Sequence, residues 1–133
     1  MSFRWADHVG ELELRVDAAD EAGVFVEALH ALGELLAGDE AAAAGRERFD
    51  VAADGAGRAV LLAAWLEELN FLAETEGVVP VDAEELVLEP EQVRARLVGY
   101  RGRPPHLVKA VTYHRLSFEP HDGGWQAVVV LDV

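Results

Sequence analysis

The sequence predicts an α+β fold in which two helices pack on a mixed β-sheet, within a single domain of residues 1–133. Three observations lead to this prediction. An early segment alternates apolar and charged residues, two longer segments carry apolar residues at helical spacing, and several strand-like segments follow the second helix. Because most strands come in one run after the helices, an α+β arrangement is favoured over regularly alternating β and α units.

The first part of the chain contains one predicted strand and one predicted helix. Leu12, Leu14 and Val16 alternate with charged residues, which is the period-2 pattern of a strand with one buried face. Asp20 is a candidate N-cap of the helix that follows, and Gly38 is a candidate C-cap. The apolar stripe of this helix recurs at spacings of three and four residues and comprises Phe25, Ala28, Leu29, Leu32, Leu35 and Leu36.

The middle of the chain contains a second helix between strand-like segments. Residues 46–53 predict a strand, and residues 57–76 predict a helix that ends at Gly77, since glycine is favoured after a helix C-terminus. The stripe of this helix comprises Leu62, Trp65, Leu66, Leu69 and Leu72. Residues 86–88 and 93–100 are again strand-like.

The last part of the chain predicts a β-hairpin. Pro104-Pro105 predicts a stiff, extended connection into it. Residues 107–118 and 125–132 are the two predicted strands, because Asp122-Gly123-Gly124 between them is typical of a tight turn. Residues 128–131 are apolar on both faces, which indicates that the second strand of the hairpin is central in its sheet.

Charge and composition restrict the classes of function. The chain has 25 acidic and 11 basic residues and a formal net charge of −14. A free-standing nucleic-acid binder usually presents a basic face to the phosphates, so direct stable binding of nucleic acid is disfavoured. An acidic surface suits metal cations or a basic partner protein, although it could serve solubility alone. The lack of cysteine, signal-peptide pattern and long apolar run predicts a cytoplasmic protein with no membrane contact.

The familiar catalytic motifs are missing from the sequence. It contains no Walker loop, no dinucleotide-binding glycine pattern, and no helical zinc pair among its five histidines. Ser2 and Ser117 are its only serines, and neither lies in a nucleophile pattern. His30 lies beside the stripe of the first helix, where a partly buried structural role is favoured. The sequence therefore offers no motif for these kinds of catalysis.

A few carboxylates form the most distinctive candidate site. Asp132 follows an apolar run, and the α-carboxylate of Val133 stands beside it. Glu11, at the start of the first predicted strand, is a further candidate. Oxygen ligands of this kind suit a hard cation such as calcium or magnesium. A frayed acidic tail without any ligand is the alternative that the residues alone leave open.

Three blocks of sequence, in order along the chain, resemble the archease family. The C-terminal block is residues 108–114, VKAVTYH, followed by a glycine-containing turn, a tryptophan and an apolar strand that ends at Asp132-Val133. The middle block is residues 61–72, LLAAWLEELNFL, followed by TEG at residues 75–77. Residues 7–12, DHVGEL, are similar to the family's entry to its first strand. The resemblance therefore spans nearly the whole chain.

The resemblance implies a fold, a role and a set of metal-linked acids. The implied fold has two helices against a mixed sheet, and the implied role is that of a protein cofactor. Such a cofactor promotes guanylylation and multiple turnover of an RtcB-type RNA ligase, in tRNA splicing or RNA repair. The family's metal-linked acids fall on Asp132, on Glu11 and on Gly57, which has no side chain. Asp54 is the nearby substitute, so a divalent cation, calcium first, is expected at Glu11, Asp54, Asp132 and Val133.

Two further residues and two rival functions complete the interpretation. Lys109 and His114 lie in the C-terminal block, and strand alternation predicts that they face opposite sides, with structural or partner-facing roles. One rival is a metal-independent, chaperone-like modulator of another RNA-processing enzyme, such as a tRNA methyltransferase. The other is a small metal-dependent hydrolase, which would need three or more converging acids.

Overall fold

The computed structural model describes residues 1–37, 45–102, 104 and 108–133. The predicted C-cap Gly38, together with Pro105 and Leu107 of the predicted connection and hairpin, lies outside these residues. The described residues form nine elements in chain order: β1 (Ser2–His8), β2 (Glu11–Ala18), α1 (Glu21–Leu36), β3 (Glu47–Asp54), α2 (Arg58–Glu76), β4 (Val78–Leu88), β5 (Gln92–Arg101), β6 (Ala110–His121) and β7 (Gly124–Asp132).

The strands form two sheets, and the predicted α+β class is confirmed. One sheet has the strand order β1-β2-β7-β6 and the other has the order β3-β5-β4. The arrangement differs from the single mixed sheet that the sequence predicted, because every strand pair among the described residues is antiparallel. For three of the five pairs, β1–β2, β4–β5 and β6–β7, the reason is that they are hairpins, and a short connection between neighbouring strands makes them antiparallel.

The strand β1 was not predicted from the sequence. Phe3 and Trp5 lie opposite Val16 and Leu14 of β2, so they share the face of the sheet that packs on the core. The signal was present, since Phe3 and Trp5 alternate with Ser2 and Arg4. Gly10, with φ of 74°, supplies the left-handed turn between β1 and β2.

The helix α1 begins and packs as its sequence predicted. The side chain of Asp20 accepts a hydrogen bond of 2.7 Å from the backbone N–H of Gly23, which confirms the N-cap. Farther along, α1 approaches β4 so closely that a Cβ on Gly33 would lie 2.2 Å from the carbonyl oxygen of Pro80. Glycine at this position therefore lets the helix lie against the second sheet.

The helix α2 ends at a glycine and is hydrogen-bonded to α1 near its middle. Gly77 adopts the left-handed conformation, with φ of 65°, and its N–H bonds to the carbonyl of Ala73, which confirms the predicted helix end. Trp65 is fully buried, and its indole N–H donates a 3.0 Å hydrogen bond to the carbonyl of Phe25 in α1. Among the described residues, neither helix is long and apolar enough to cross a membrane.

One hydrophobic core serves both sheets. Helix α1 contacts β1, β2 and β7 of the first sheet and β4 of the second, while α2 contacts β6 of the first and all three strands of the second. The strand β7 lies between β2 and β6, which confirms the predicted central strand. Ala127, Val129 and Leu131 face the core, and Val130 is fully buried on the opposite face of the same strand.

His30 joins α1 to β4 through two carboxylates. Its ring nitrogens lie 3.0 Å from Glu27 Oε1 and 2.8 Å from Asp82 Oδ1, and its side chain is about one-third exposed at 33%. Burial lowers the pKa of His30, but the hydrogen bonds to Asp82 and Glu27 outweigh it, so the pKa is raised above its usual 6.5. The partly buried structural role predicted for this residue agrees with these contacts.

We expect His30 to make stability depend on pH. Because the folded chain holds the pKa of His30 above its unfolded value, the stabilisation is fully present below about pH 6.5 and is lost as pH rises through the folded pKa. Screening at this partly exposed site limits the change to about 1 kcal/mol or less. Urea unfolding between pH 6 and pH 8.5 should show a fall in wild-type stability that His30→Gln lacks.

The matched control for this experiment is His121→Gln. His121 lies by the hairpin turn, half-exposed, with its ring nitrogen 3.2 Å from Asp122. This variant should retain the wild-type difference in stability between the two pH values. If His30→Gln kept the same difference, the contacts of His30 would not be its source.

Candidate functional site

Two of the predicted site carboxylates lie side by side. Glu11 opens β2, Asp132 closes β7, and the two residues are direct partners in the antiparallel pairing of these strands. Partners of this kind have Cα atoms about 4.5–5.5 Å apart and side chains on the same face of the sheet. That face is the one turned away from the helices, since Leu131, the residue before Asp132 in β7, faces the core. The structure therefore brings Glu11 and Asp132 together.

The end of the chain is held in place beside this pair. The backbone N–H of Val133 donates a 3.2 Å hydrogen bond to the carbonyl of Gly10, and the N–H of Lys109 donates a 2.8 Å hydrogen bond to the carbonyl of Asp132. Asp132 is thus paired with β2 on one side and with the start of β6 on the other. The end of β7 is therefore not frayed, and binding of a ligand there stays a prediction.

Asp54, the proposed substitute ligand, does not join this site. It ends β3 and accepts a 3.2 Å hydrogen bond from the side-chain amide of Gln92. The start of α2, which follows Asp54 closely in the chain, lies beside the start of α1. The contact of 3.2 Å between Arg58 and Glu21 joins the two helix starts. Glu11 lies at the far end of β2 from α1, and the eight residues of that strand separate the two ends by roughly 20 Å.

The helix α2 extends between the same two ends of the molecule. Near its C-terminal end, the buried side-chain amide of Asn70 donates a 2.9 Å hydrogen bond to the carbonyl of Val108, the residue before Lys109. The helix therefore runs from the Asp54 end to the Asp132 end. Gly57, at the start of α2, is likewise remote from the paired carboxylates. The spacing of residues in the sequence did not reveal that Gly57 is remote from the pair, because it does not determine the direction of α2 relative to the strands.

The pair of carboxylates fits a divalent cation in part. Calcium takes six to eight oxygen ligands, and two carboxylates provide at most four. In the part of the chain that the structure describes, no group of three or more histidine, aspartate or glutamate side chains is arranged to hold a metal ion. A cation bound by Glu11 and Asp132 would therefore take its remaining ligands from water, main-chain oxygens or another molecule.

A buried glutamate lies next to this pair on the same face. Glu13 is only 5% exposed, and its two carboxylate oxygens contact Arg15 at 2.8 Å and Arg115 at 3.2 Å. The hydrogen bond from Arg15 is the largest influence on the pKa of Glu13, and together with Arg115 it lowers that pKa despite the opposing effect of burial. Glu13 is therefore ionised and neutralised by two guanidinium groups.

Sequence reasoning missed Arg115, which also contacts the candidate site. Its Nη2 lies 3.4 Å from Glu11 Oε2, in addition to the contact with Glu13. The available signal was a break in strand alternation. The apolar and aromatic residues occupy odd positions at Val111 and Tyr113 but even positions at Leu116 and Phe118, so the alternation changes around Arg115.

The surroundings of Lys109 and His114 differ from the predicted regular strand. The pairing of β6 with β7 shifts between Thr112 and Ser117, so strict alternation fails and the reasoning that put Lys109 and His114 on opposite faces does not hold. Both residues are exposed, and the N–H of His114 donates to the hydroxyl of Thr112 at 3.3 Å. Their partner-facing role stays a prediction.

The fold and the paired carboxylates define a small acidic α+β protein whose last strand carries its candidate site. The sequence matches the family model described as the Archease protein family (MTH1598/TM1083) over residues 3–133. The match covers all but the first two residues of the chain. The chain belongs to the archease family.

Curated relatives and solved structures agree with this assignment. The chain is 33% identical to protein archease of Methanopyrus kandleri and 29% identical to protein archease of Archaeoglobus fulgidus, with 100% of each chain covered in both comparisons. Its fold is similar to the solution structure of Methanobacterium thermoautotrophicum protein 1598, with a TM-score of 0.72, 22% identity and 98% coverage of both chains. It is also similar to the crystal structure of a Thermotoga maritima archease described as a possible chaperone, with a TM-score of 0.69, 17% identity, and 96% and 94% coverage.

Proposed function

We propose that this chain is a protein cofactor of an RtcB-type RNA ligase and is not itself an enzyme. In this role it promotes guanylylation and multiple turnover of the ligase, in tRNA splicing or RNA repair. The observation that carries the proposal is the pairing of Glu11 with Asp132 at one end of the inner strands β2 and β7 of an archease-family chain. A pair held by backbone hydrogen bonds on both sides is preorganised to present carboxylates to a cation or to a partner.

The incomplete set of protein ligands supports an action at a partner's surface. Glu11 and Asp132 would hold a divalent cation, with calcium as the first candidate, and leave part of its coordination shell open to another molecule. When bound, such a cation offsets negative charge that develops at a phosphate during nucleotidyl transfer. Glu11 and Asp132 would position it, and the β1–β2 turn at Gly10 and the start of β6 would hold the two carboxylates at this end of the sheet.

The charge distribution supports a protein partner over direct contact with RNA. The chain has a net charge of −14. In the described part of the chain, three arginines of β5 each contact an acid: Arg94 with Glu89, Arg96 with Asp50 and Arg101 with Glu47. These arginines are neutralised locally, so they form no strong site for phosphates, whereas the acidic surface suits a basic patch on a ligase. A cytoplasmic location is part of the same proposal.

The experiment that tests this function measures covalent guanylylation of the ligase. An RtcB-type ligase from the same cell is incubated with labelled GTP, with and without the purified chain. We expect the chain to raise the initial rate of label transfer to the ligase. An unrelated acidic protein of similar size is the control and should leave the rate unchanged. A rate that is the same with and without the chain would contradict the proposal.

The second candidate is a metal-independent, chaperone-like modulator of another RNA-processing enzyme. The description of the Thermotoga maritima relative as a possible chaperone favours this alternative. It requires the fold and the acidic surface but not the carboxylate of Asp132. Asp132→Asn discriminates between the two, because it leaves the hydrogen bond from the N–H of Lys109 to the backbone carbonyl of residue 132 in place and removes only the charge. A chaperone-like role should survive this change.

A further inference from the structure

The edge strand β6 carries an irregularity beside the candidate site. Its pairing with β7 is regular up to Thr112 and resumes at Ser117, so the four residues 113–116 face a single residue of β7. Bulges of this kind re-aim a side chain and are frequent next to functional sites. Within this bulge Arg115 has φ of 54°, in the left-handed region that favours glycine and is unfavourable for arginine.

The side chain of Arg115 explains why an arginine occupies this position. Because β7 lies between β6 and β2, the guanidinium must cross β7 to reach the carboxylates of β2. There its Nε lies 3.2 Å from Glu13 and its Nη2 lies 3.4 Å from Glu11. The contact with Glu13 is to a nearly buried group, whereas Glu11 is 31% exposed and its contact is the longer one.

We propose that Arg115 is an internal counter-ion that competes with a divalent cation for Glu11. The inference rests on the proposed binding of a cation by Glu11 and Asp132, and it concerns how that binding is controlled. Without a cation, Arg115 neutralises Glu11. When a cation binds, Glu11 leaves Arg115, which remains attached to Glu13 beside the cation.

Two physical effects follow from this competition. The ion pair between Arg115 and Glu11 must be broken before Glu11 can act as a ligand. The guanidinium of Arg115 also remains close to the bound cation, and the two positive charges repel each other at an exposed protein surface. Both effects weaken cation binding, so the site stays neutralised by Arg115 until another molecule contributes ligands.

The test measures calcium binding to the isolated chain by titration calorimetry. We expect Arg115→Gln to bind calcium more tightly than the wild type by a factor on the order of 3 to 10, which corresponds to an exposed ion pair and a nearby charge. Arg115→Gly should show a similar gain, since glycine also suits the backbone conformation. Arg115→Lys retains the positive charge and should stay close to the wild-type affinity.

The control for net charge is Arg96→Gln. Arg96 is 51% exposed and contacts Asp50 on the other sheet, so this variant makes the same change in net charge far from Glu11. It should leave calcium affinity unchanged. Equal affinities in Arg115→Gln and Arg96→Gln would overturn the inference, as would a gain in Arg115→Lys equal to that of Arg115→Gln. Failure of every variant to bind calcium would also overturn it.

This outcome is separate from that of the ligase experiment. Calcium binding is measured without any ligase, and guanylylation is measured with the wild-type chain. If the wild-type chain activates the ligase but Arg115→Gln binds calcium no better than the wild type, the role of Arg115 is contradicted. The proposed function is then unaffected. A chain that fails to activate the ligase would remove the proposed function, whatever its calcium affinity.

Discussion

Asp132→Asn is expected to reduce the stimulation of ligase guanylylation by at least about 10-fold. This factor is the lower end of the loss that is typical when a residue supporting a metal ligand is mutated. Asparagine has nearly the same shape as aspartate, and the hydrogen bond from the N–H of Lys109 goes to the backbone of Asp132, so the end of β7 should remain paired. The variant therefore removes a negative charge and little else. Initial rates of guanylylation at a fixed concentration of the variant measure the effect.

The matched variants for this prediction are Glu11→Gln and Asp54→Asn. Glu11 is the direct strand partner of Asp132, so its amide variant should show a loss of similar size. Asp54 lies at the other end of the molecule, beside Gln92, and Asp54→Asn should keep most of the wild-type stimulation. Equal losses in all three variants would indicate a general effect of negative charge. Full stimulation by Asp132→Asn would contradict a role for the paired carboxylates.

Trp65→Ala is expected to destabilise the fold by about 3–5 kcal/mol, the usual cost of truncating a large buried aromatic side chain. Trp65 is fully buried, its ring lies 6.4 Å from that of Phe25 in an edge-on arrangement, and its N–H bonds to the carbonyl of Phe25. The substitution therefore opens a cavity and removes a hydrogen bond between α1 and α2. Since a domain is usually stable by only about 5–15 kcal/mol, a large share of the total would be lost.

Urea unfolding monitored by circular dichroism measures this loss, with Phe71→Ala as the control. Phe71 lies on the same helix, but its side chain is 54% exposed, so its removal should change the free energy of unfolding by no more than about 0.5 kcal/mol. A Trp65→Ala variant as stable as Phe71→Ala would show that the packing between the two helices contributes little.

Elements whose signals are local were predictable from the sequence. The N-cap at Asp20 and the left-handed glycine at Gly77 fix helix ends through contacts within a few residues. The apolar run at residues 128–131 indicated a central strand because only such a strand buries both faces. The C-terminal hairpin followed from its turn, and its strands run as Ala110–His121 and Gly124–Asp132.

The division into two sheets depends on contacts that the sequence does not encode locally. A helix such as α1 can return its chain to the same sheet or to a second one, and the choice depends on packing. Here Gly33 permits a close approach of α1 to Pro80 of β4, a contact between residues far apart in the chain. The strand β4 itself was predicted only at its end, because two irregularities, near Pro80 and near Ala83, break its alternation.

The candidate site was predictable in its residue types more than in its geometry. Glu11 and Asp132 were identified individually, but only the register of β2 with β7 makes them neighbours. Asp54 was predicted to join them because it lies close to Gly57 in the sequence. This closeness does not specify where α2 begins relative to β2. Arg115 was missed because the shift in alternation around it marks a bulge but does not show that the bulge re-aims its side chain across β7.

The claim that this chain serves an RtcB-type ligase is tested most directly by counting RNA molecules joined per molecule of ligase. With RNA ends and GTP in excess, the wild-type chain should allow each ligase molecule to join many RNA molecules, whereas ligase alone should stall early. Asp132→Asn should leave the ligase close to the stalled level. A count that is the same with and without the chain would contradict the account.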